Sequence, residues 1–235
     1  MLKKTCFKKN KNNLQMLRFI AYFFSVVFHP LLMLTYMLLL LLLVNPYLFG
    51  VHQLGANIDL VLLIFLSSFV IPAFAVGMMK ALDMIDSLEM KTKTERIGPY
   101  IVTGILYLWL FQNMLYNPDI PGAYKIFVLG ATLGLFMAFF FNLFTKISMH
   151  ALGMGGLLGM TILTMLLFSY NTFTIDLGSM GLLEMSTSAL LMIVILLAGI
   201  VCTSRLILKA HSLQDLYSGF IIGLACQFIA FQVLI

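Results

Sequence analysis

The chain has 235 residues, of which 62% are hydrophobic and only 10% are charged, and its formal net charge is +5. Its mean hydropathy of +1.05 excludes a soluble globular domain, because apolar stretches of this length leave too little polar surface for water. Runs without polar residues, such as 38–43, also exclude the alternating pattern of a β-barrel. We therefore predict an all-α protein, a polytopic transmembrane helical bundle of about six to seven spans, since helices satisfy their own backbone in lipid.

The N-terminal region divides into two parts. Residues 1–17 are rich in lysine and asparagine, which predicts a basic cytoplasmic tail that touches anionic lipid. Residues 18–57 predict an interfacial segment, a first span and a loop, because His29-Pro30 interrupts the apolar run and proline is unfavourable inside a helix. We expect a span to begin near Pro30 and His29 to cap the break. No small-residue cleavage site follows the basic stretch, which favours an uncleaved span over a signal peptide.

The remaining residues, 58–235, predict the helical bundle itself. Further spans are expected at about 58–82, 99–116, 123–144, 157–170, 186–203 and 216–235. Following the chain across these spans places every lysine and arginine except Lys125 on one side, which the positive-inside rule assigns to the cytoplasm. We expect an integral, multi-pass protein of a bacterial-type inner membrane.

The third polar segment, residues 204–215, interrupts the apolar chain near its C-terminal end. Arg205 brings a permanently charged guanidinium that suits a phosphate or a carboxylate. His211 and Asp215 have the spacing that places two residues on one face of a helix, where a carboxylate orients an imidazole. This combination predicts chemistry on an anion. The same residues also fit a simpler interpretation, with Arg205 a membrane-edge cation and the other two a surface pair.

Two further polar segments fall on the same predicted side of the membrane. The first polar segment, residues 91–99, carries Lys91, Lys93 and Arg96, and the second, residues 146–150, carries Lys146, Ser148 and His150. Transfer of a phosphoryl group needs such a set, with cations to balance the charged oxygens, a nucleophile, and an acid for the leaving oxygen. The alternatives stay open here: a structural histidine, and lysines that only reflect the positive-inside rule.

The third polar segment fits the pattern S-R-x5-H-x3-D, and through it the chain resembles the type 2 phosphatidic acid phosphatase superfamily. That superfamily holds lipid phosphatases, isoprenyl pyrophosphate phosphatases and vanadium haloperoxidases. The matching positions are Ser204, Arg205, His211 and Asp215. The resemblance covers about residues 82–235, and the order and spacing of the three polar segments also agree with the family.

The other two family signatures are degenerate in this chain. The second, P-S-G-H, reads Ile147-Ser148-Met149-His150, so the serine and the histidine match while the proline and the glycine are missing. The first, K-x6-R-P, keeps Arg96, but proline follows three residues later and glutamate stands in the lysine position. Lys91 or Lys93 would have to replace that lysine.

The resemblance implies a role for each matching residue. His211 would attack phosphorus and become a phosphohistidine, Asp215 would fix its ring, and His150 would protonate the departing alkoxide. The phosphate-binding residues would be Arg205, Arg96, Lys93 or Lys91, Ser148 and Ser204. No metal and no other cofactor is expected, because cations and amides supply the electrostatic stabilisation.

Together these observations predict an integral-membrane lipid phosphatase that acts on phosphatidate or on a polyprenyl phosphate or pyrophosphate. Its partners would be that phosphorylated lipid and the bilayer, with no nucleic acid. A lipid phosphotransferase with the same nucleophile is the nearest alternative. A catalytically silent relative that binds or moves anionic lipids is an alternative from another class. The sequence leaves the oligomeric state open.

Overall fold

The computed structural model describes residues 2–51, 57–88, 90, 92–176 and 181–235, and for residues 2–14 and 176 it describes the backbone alone. Helices follow one another along the chain, joined by short turns. They are α1 (Leu2–Val27), α2 (Met33–Val44), α3 (Ile58–Phe65), α4 (Ile71–Ala81), α5 (Ile97–Leu115), α6 (Gly122–Asn142), α7 (Met149–Leu163), α8 (Thr187–Ile207) and α9 (Leu213–Leu234). A π-helical turn, Leu66–Val70, joins α3 to α4, and another, Thr164–Phe168, extends α7.

Six helical stretches of the described chain are long and apolar enough to cross a membrane. They are Gln15–Val44, Ile58–Ala81, Gly122–Asn142, Met149–Phe168, Thr187–Ile207 and Leu213–Leu234. The protein is therefore a multi-pass membrane protein of the all-α class, as predicted. One more predicted span coincides with α5, which has 19 residues. Polar residues such as Gln112 and Asn113 lower its hydropathy, so α5 is not among the six.

The N-terminal region shows two differences from expectation and one agreement. The first apolar stretch of membrane-spanning length begins at Gln15 and not near Pro30, because α2 alone has only 12 residues. The backbone of the predicted tail is helical, because residues 2–27 contain neither proline nor glycine and nothing breaks α1 before Val27. The predicted break at His29-Pro30 is confirmed. There the 3₁₀ turn Pro30–Leu32 separates α1 from α2, and His29 Nδ1 caps it by accepting from the N–H of Leu31 at 3.4 Å.

The helix α7 packs closely against α9 along glycine-bearing faces. A Cβ atom on Gly219 of α9 would lie only 2.6 Å from the carbonyl oxygen of Ser148, and one on Gly223 would overlap the carbonyl of Leu152. Small residues allow the backbones of membrane helices to approach this closely. The first turns of α7 and α9 therefore lie side by side.

A short antiparallel hairpin joins α7 to α8. Its strands are β1 (Thr172–Asp176) and β2 (Leu182–Ser186), with Thr174 opposite Glu184. Because the hairpin follows the last turn of α7 and precedes the first turn of α8, it lies at the opposite end of the bundle from the second and third polar segments. The connections at the other end carry those segments.

Candidate active site

The third polar segment forms the end of α8, a tight connection and the start of α9. Ser212 is the N-cap of α9: its Oγ accepts from the N–H of Asp215 at 3.2 Å, and the Asp215 carboxylate accepts from the N–H of Ser212 at 3.1 Å. The same carboxylate oxygen lies 3.3 Å from Nδ1 of His211. His211 precedes the helix, so the pair does not share a helical face as the spacing predicted. The capping box makes the pairing instead, because it directs the carboxylate back toward the residue before the cap.

The His211 ring is neutral and has a defined tautomer. Its side chain is only 4% exposed. Burial and the positive charges of Arg205, Arg96 and Lys146 lower its pKa to about 4, against the opposing effect of the hydrogen bond to Asp215. A carboxylate only accepts hydrogen bonds, so Nδ1 carries the hydrogen and Nε2 carries a lone pair. The ring is thus prepared to act as a nucleophile through Nε2.

Arg96 connects the first polar segment to the second. The side chain is 9% exposed, and its NH1 donates to the carbonyl of Ile147 at 3.1 Å while its Nε donates to the carbonyl of Met90 at 2.9 Å. Its charge also acts on His211 of the third polar segment. The guanidinium is therefore fixed by two main-chain acceptors within electrostatic range of the proposed nucleophile.

Of the two lysines in the first polar segment, the structure describes the contacts of Lys93 alone. Lys93 is exposed, and its Nζ donates to the carbonyl of Phe144 just after α6. Its own carbonyl accepts from the Asn142 side chain at 2.9 Å. These contacts fasten the first polar segment to the end of α6. Lys91, the other candidate for the family lysine, lies outside the described residues.

Both candidate serines make hydrogen bonds at helix ends. Ser148 is fully buried and caps α7, with its Oγ accepting from the N–H of Ala151 at 3.4 Å. Ser204 is 3% exposed, and its Oγ donates to the carbonyl of Ile200 within α8 at 2.8 Å. The Ser148 hydroxyl therefore stabilises the first turn of α7, which carries His150. The Ser204 hydroxyl bonds within the last turns of α8, which carry Arg205.

His150 projects from the first turn of α7 toward the end of α1. Its Nε2 lies 2.9 Å from the carbonyl oxygen of Ser25, and its ring meets that of His29 edge to face, with centroids 5.7 Å apart. It is within electrostatic range of Arg205 and of His211. The two histidines predicted to carry the chemistry therefore lie at the same end of the bundle, near enough for the charge of His211 to act on His150.

Lys146 is a site residue to which the sequence assigned no role. Its Nζ donates to the carbonyl of Ala210 at 3.1 Å, in the connection just before His211. Burial, together with the charges of Arg96 and Arg205, lowers the pKa of its ammonium group, and Asp215 opposes this. Its position within the second polar segment was the available signal, but spacing alone did not distinguish it from Lys93.

The end of α1 supplies two more residues that the sequence did not assign to the site. The Oγ of Ser25 accepts from NH1 of Arg205 at 3.2 Å, and Ser25 is 5% exposed. His29 packs on His150. His29 beside Pro30 was recognised as a break in the helix, whereas nothing in the sequence around Ser25 resembles a functional motif.

Within the described part of the chain, no group of three histidine, cysteine or acidic side chains is arranged to hold a metal ion. The charged groups of the site are its cations and the Asp215 carboxylate. Comparisons with protein-family models, with curated proteins and with solved structures find no match to this chain, so the site is interpreted from its own residues.

Proposed function

We propose that the protein is an integral-membrane lipid phosphatase, similar to the type 2 phosphatidic acid phosphatases, that works through a phosphohistidine. The substrate is a phosphorylated lipid of the phosphatidate or polyprenyl phosphate or pyrophosphate type. The observation that carries the proposal is the meeting of three polar segments around the His211–Asp215 pair. Arg96 bonds the carbonyl of Ile147, and Lys146 bonds the carbonyl of Ala210, so each segment is tied to the next.

In the first step, Nε2 of His211 attacks phosphorus and the bond from phosphorus to the lipid oxygen breaks. The electron pair of that bond stays with the lipid oxygen, which takes a proton from His150 after the negative charge of the bound phosphate has stabilised the imidazolium form of that ring. Nδ1–H of His211 keeps its hydrogen bond to Asp215, whose negative charge balances the positive charge that develops on the ring. The products of this step are the lipid alcohol and the phosphohistidine.

In the second step, a water molecule attacks the phosphohistidine. His150, now neutral, accepts a proton from the water, and the bond from phosphorus to His211 Nε2 breaks with its electron pair returning to the ring. Inorganic phosphate leaves, and both histidines regain their starting protonation states. Asp215 holds the His211 ring in one orientation through both steps.

Arg205, Arg96 and Lys146 balance the charge on the phosphate oxygens in both transition states. All three act electrostatically on His211, which supports a role for them on a phosphate that is attacked by its Nε2. We assign to Lys146 the role that the family resemblance left to Lys91 or Lys93. Lys93 instead contacts the carbonyl of Phe144 at the exposed end of α6.

We place the protein in a bacterial-type inner membrane with the site facing the cytoplasm. This placement rests on the distribution of lysines and arginines, which concentrate at the end of the bundle that carries the site. A basic surface at that end attracts anionic headgroups, so the substrate reaches the site from the adjoining leaflet.

The test is phosphate release from a panel of lipid phosphates by the purified protein in detergent. We expect release that persists in a metal chelator, that is abolished in His211→Ala, and that His52→Ala, which removes a histidine outside the three polar segments, leaves intact. Acid-labile phosphate on the wild-type protein, absent from His211→Ala, would report the covalent step.

Transfer of phosphate to an added alcohol in preference to water would favour the phosphotransferase. Tight binding of a lipid phosphate without turnover would favour the silent relative.

A further inference from the structure

Ser25, near the end of α1, occupies both of the groups that would hold the oxygens of a phosphate. Its main-chain carbonyl oxygen accepts from Nε2–H of His150 at 2.9 Å, and its side-chain Oγ accepts from NH1 of Arg205 at 3.2 Å. The residue is 5% exposed, so these contacts are sheltered from water. Two oxygen atoms of one residue thus meet the proposed general acid and the proposed phosphate-binding arginine.

The two contacts have the chemistry that a phosphorylated substrate needs. A leaving oxygen requires an N–H donor at His150, and a non-bridging phosphate oxygen requires a guanidinium N–H at Arg205. Each donor already points at an oxygen atom of Ser25. While Ser25 is in place, Nε2–H of His150 cannot also donate to a leaving oxygen, and the NH1 hydrogen of Arg205 that Ser25 Oγ accepts is not available to a phosphate oxygen.

Among the described side chains of α1, the packing against the bundle is confined to the C-terminal part of the helix. Residues 15–20 are exposed on every side of the helix, and burial begins at Ala21, which is 1% exposed. Of the side chains described in α1, residues 15–27, those of about the last two turns are packed, and α1 lies against α8. The bond from Tyr36 Oη of α2 to the carbonyl of Val27, at 2.6 Å, fastens the end of α1 to the bundle.

We propose that the last turn of α1 is a pseudosubstrate gate: the two oxygen atoms of Ser25 take the positions of the leaving oxygen and of one non-bridging oxygen of a phosphate, and the phosphorylated lipid binds only after α1 moves aside. This inference rests on the proposed function. The break at His29-Pro30 provides the hinge, since α1 ends there and α2 begins on the other side of a 3₁₀ turn.

Two variants loosen the gate without altering any residue of the site. Tyr36→Phe removes only the hydrogen bond to the carbonyl of Val27, and Ala21→Phe places a large ring between α1 and α8. We expect each to lower the Kd for inorganic phosphate by about threefold to tenfold, as loss of one neutral hydrogen bond that holds α1 in the closed position would do. Tyr22→Phe is the matched control, because Tyr22 is 63% exposed on the same helix, and its Kd should equal that of the wild type.

The opposite result would overturn the gate. If Ser25 instead positions His150 for catalysis, the loosened variants would bind phosphate no better than the wild type and would release it from lipid more slowly. An unchanged Kd in Tyr36→Phe and in Ala21→Phe, alongside normal turnover, would equally reject the gate while leaving the proposed phosphatase intact. Phosphate binding in none of the variants, with no turnover, would reject both.

A second measurement follows the movement itself. Ser25→Cys is introduced after Cys6, Cys202 and Cys226 are replaced by alanine, and the rate of its reaction with a thiol reagent is measured with and without inorganic phosphate. We expect saturating phosphate to raise the rate by about tenfold or more, because a residue that is buried in the closed state becomes accessible when the gate opens. A rate that phosphate lowers or leaves unchanged would show that phosphate binds without displacing α1, which would contradict the proposal.

Discussion

The main-chain N–H of Ser148 donates to the main-chain carbonyl of Asp215 at 3.2 Å, which joins the first turn of α7 directly to the first turn of α9. Ser148 lies two residues before His150, and Asp215 orients the His211 ring, so this one bond links the backbone around the two histidines. Because it runs between main-chain atoms, it requires the two helices to approach closely. The geometry of the site therefore depends on residues in the helix contact that never touch a substrate.

Gly219→Ala should separate the two turns. The added Cβ would lie 2.6 Å from the carbonyl oxygen of Ser148, a main-chain atom that cannot move aside as a flexible side chain would. We expect a loss of about 1–3 kcal/mol in the free energy of unfolding and a fall in phosphate release. Thermal unfolding in detergent and the activity assay measure the two effects.

Gly199→Ala is the matched control for that variant. Gly199 lies within α8, and an added Cβ there would meet nothing within 4 Å. Alanine is the better helix former, so this change should be neutral or stabilising by up to about 1 kcal/mol. Equal destabilisation by the two substitutions would contradict the assignment of Gly219 to the close contact between α7 and α9.

Asp215 has two tasks that single substitutions can separate. Ser212→Ala removes the N-cap of α9 and should cost about 0.5–2 kcal/mol of stability, with phosphate release largely retained. Asp215→Asn weakens the same cap but also removes the charge beside His211, and we expect it to lower kcat by about 10²–10⁴-fold. If the two variants lost the same activity for the same loss of stability, the carboxylate would have only a structural role.

The acid limb of the pH–rate profile should report His211. Because its pKa is about 4, the ring stays neutral and nucleophilic in weakly acidic solution, and phosphate release should fall only as the pH approaches that value. The free energy of unfolding should also depend on pH through protonation of His211. The pKa is lowered from 6.5 on folding, so the unfolded chain binds the extra proton in this interval and stability declines as the pH drops from about 6.5 toward 4.

That contribution to the pH dependence of stability should disappear in His211→Ala. Unfolding of the wild type and of this variant, followed as a function of pH in the same detergent, measures the difference. The two curves should diverge below pH 6.5, the ordinary pKa of the group, with the wild type losing more stability. Parallel curves across that range would show that the ring is not shifted on folding.

Much of the site could be predicted from the sequence because its parts lie at the ends of helices. Apolar stretches predict seven crossings, with the segment that forms α5 counted among them, and the parity of seven crossings places Arg96, His150 and His211 at one end of the bundle. The pairing of His211 with Asp215 was also predicted, although through a helical face and not through the capping box that forms it. Local spacing is sufficient for such short-range pairs.

The rest of the site depends on contacts between residues far apart in the chain. Ser25 lies 125 residues before His150, and no local pattern marks a carbonyl oxygen as a hydrogen-bond partner. Similarly, the choice between Lys93 and Lys146 depends on the direction in which each side chain leaves its turn. Lys93 turns toward Phe144 and Lys146 toward Ala210, and spacing in the sequence does not distinguish these directions.

Lys209 adopts a backbone conformation that favours glycine, with φ at 54° in the connection between α8 and α9. A side chain in the left-handed region costs about 1 kcal/mol relative to glycine. We expect Lys209→Gly to leave activity unchanged and to stabilise the protein by up to about 1 kcal/mol. Lys209→Ala removes the same charge but keeps the strain, so it should give no such gain, and a gain equal to that of glycine would rule out the backbone explanation.

The two lysines offer the sharpest comparison within the proposed mechanism. Lys146→Met removes a cation that acts on His211, and we expect it to lower kcat/KM by about 10–10³-fold, because a charge that stabilises the transition state is lost. Lys93→Met removes a cation whose Nζ contacts the carbonyl of Phe144, so it should cost a little stability and leave kcat/KM within about threefold of the wild type.

The pH dependence distinguishes this role of Lys146 from a purely structural one. Burial and the neighbouring arginines lower the pKa of its ammonium group from 10.5, so the wild type should lose activity as alkaline solution removes that proton. The part of the alkaline fall that follows deprotonation of Lys146 should be missing in Lys146→Met and present in Lys93→Met, while the fall at lower pH that follows deprotonation of His150 should remain in both variants. If Lys93→Met were the variant that lost both the activity and that part of the alkaline fall, the first polar segment would supply the phosphate-binding lysine, as the family pattern implies.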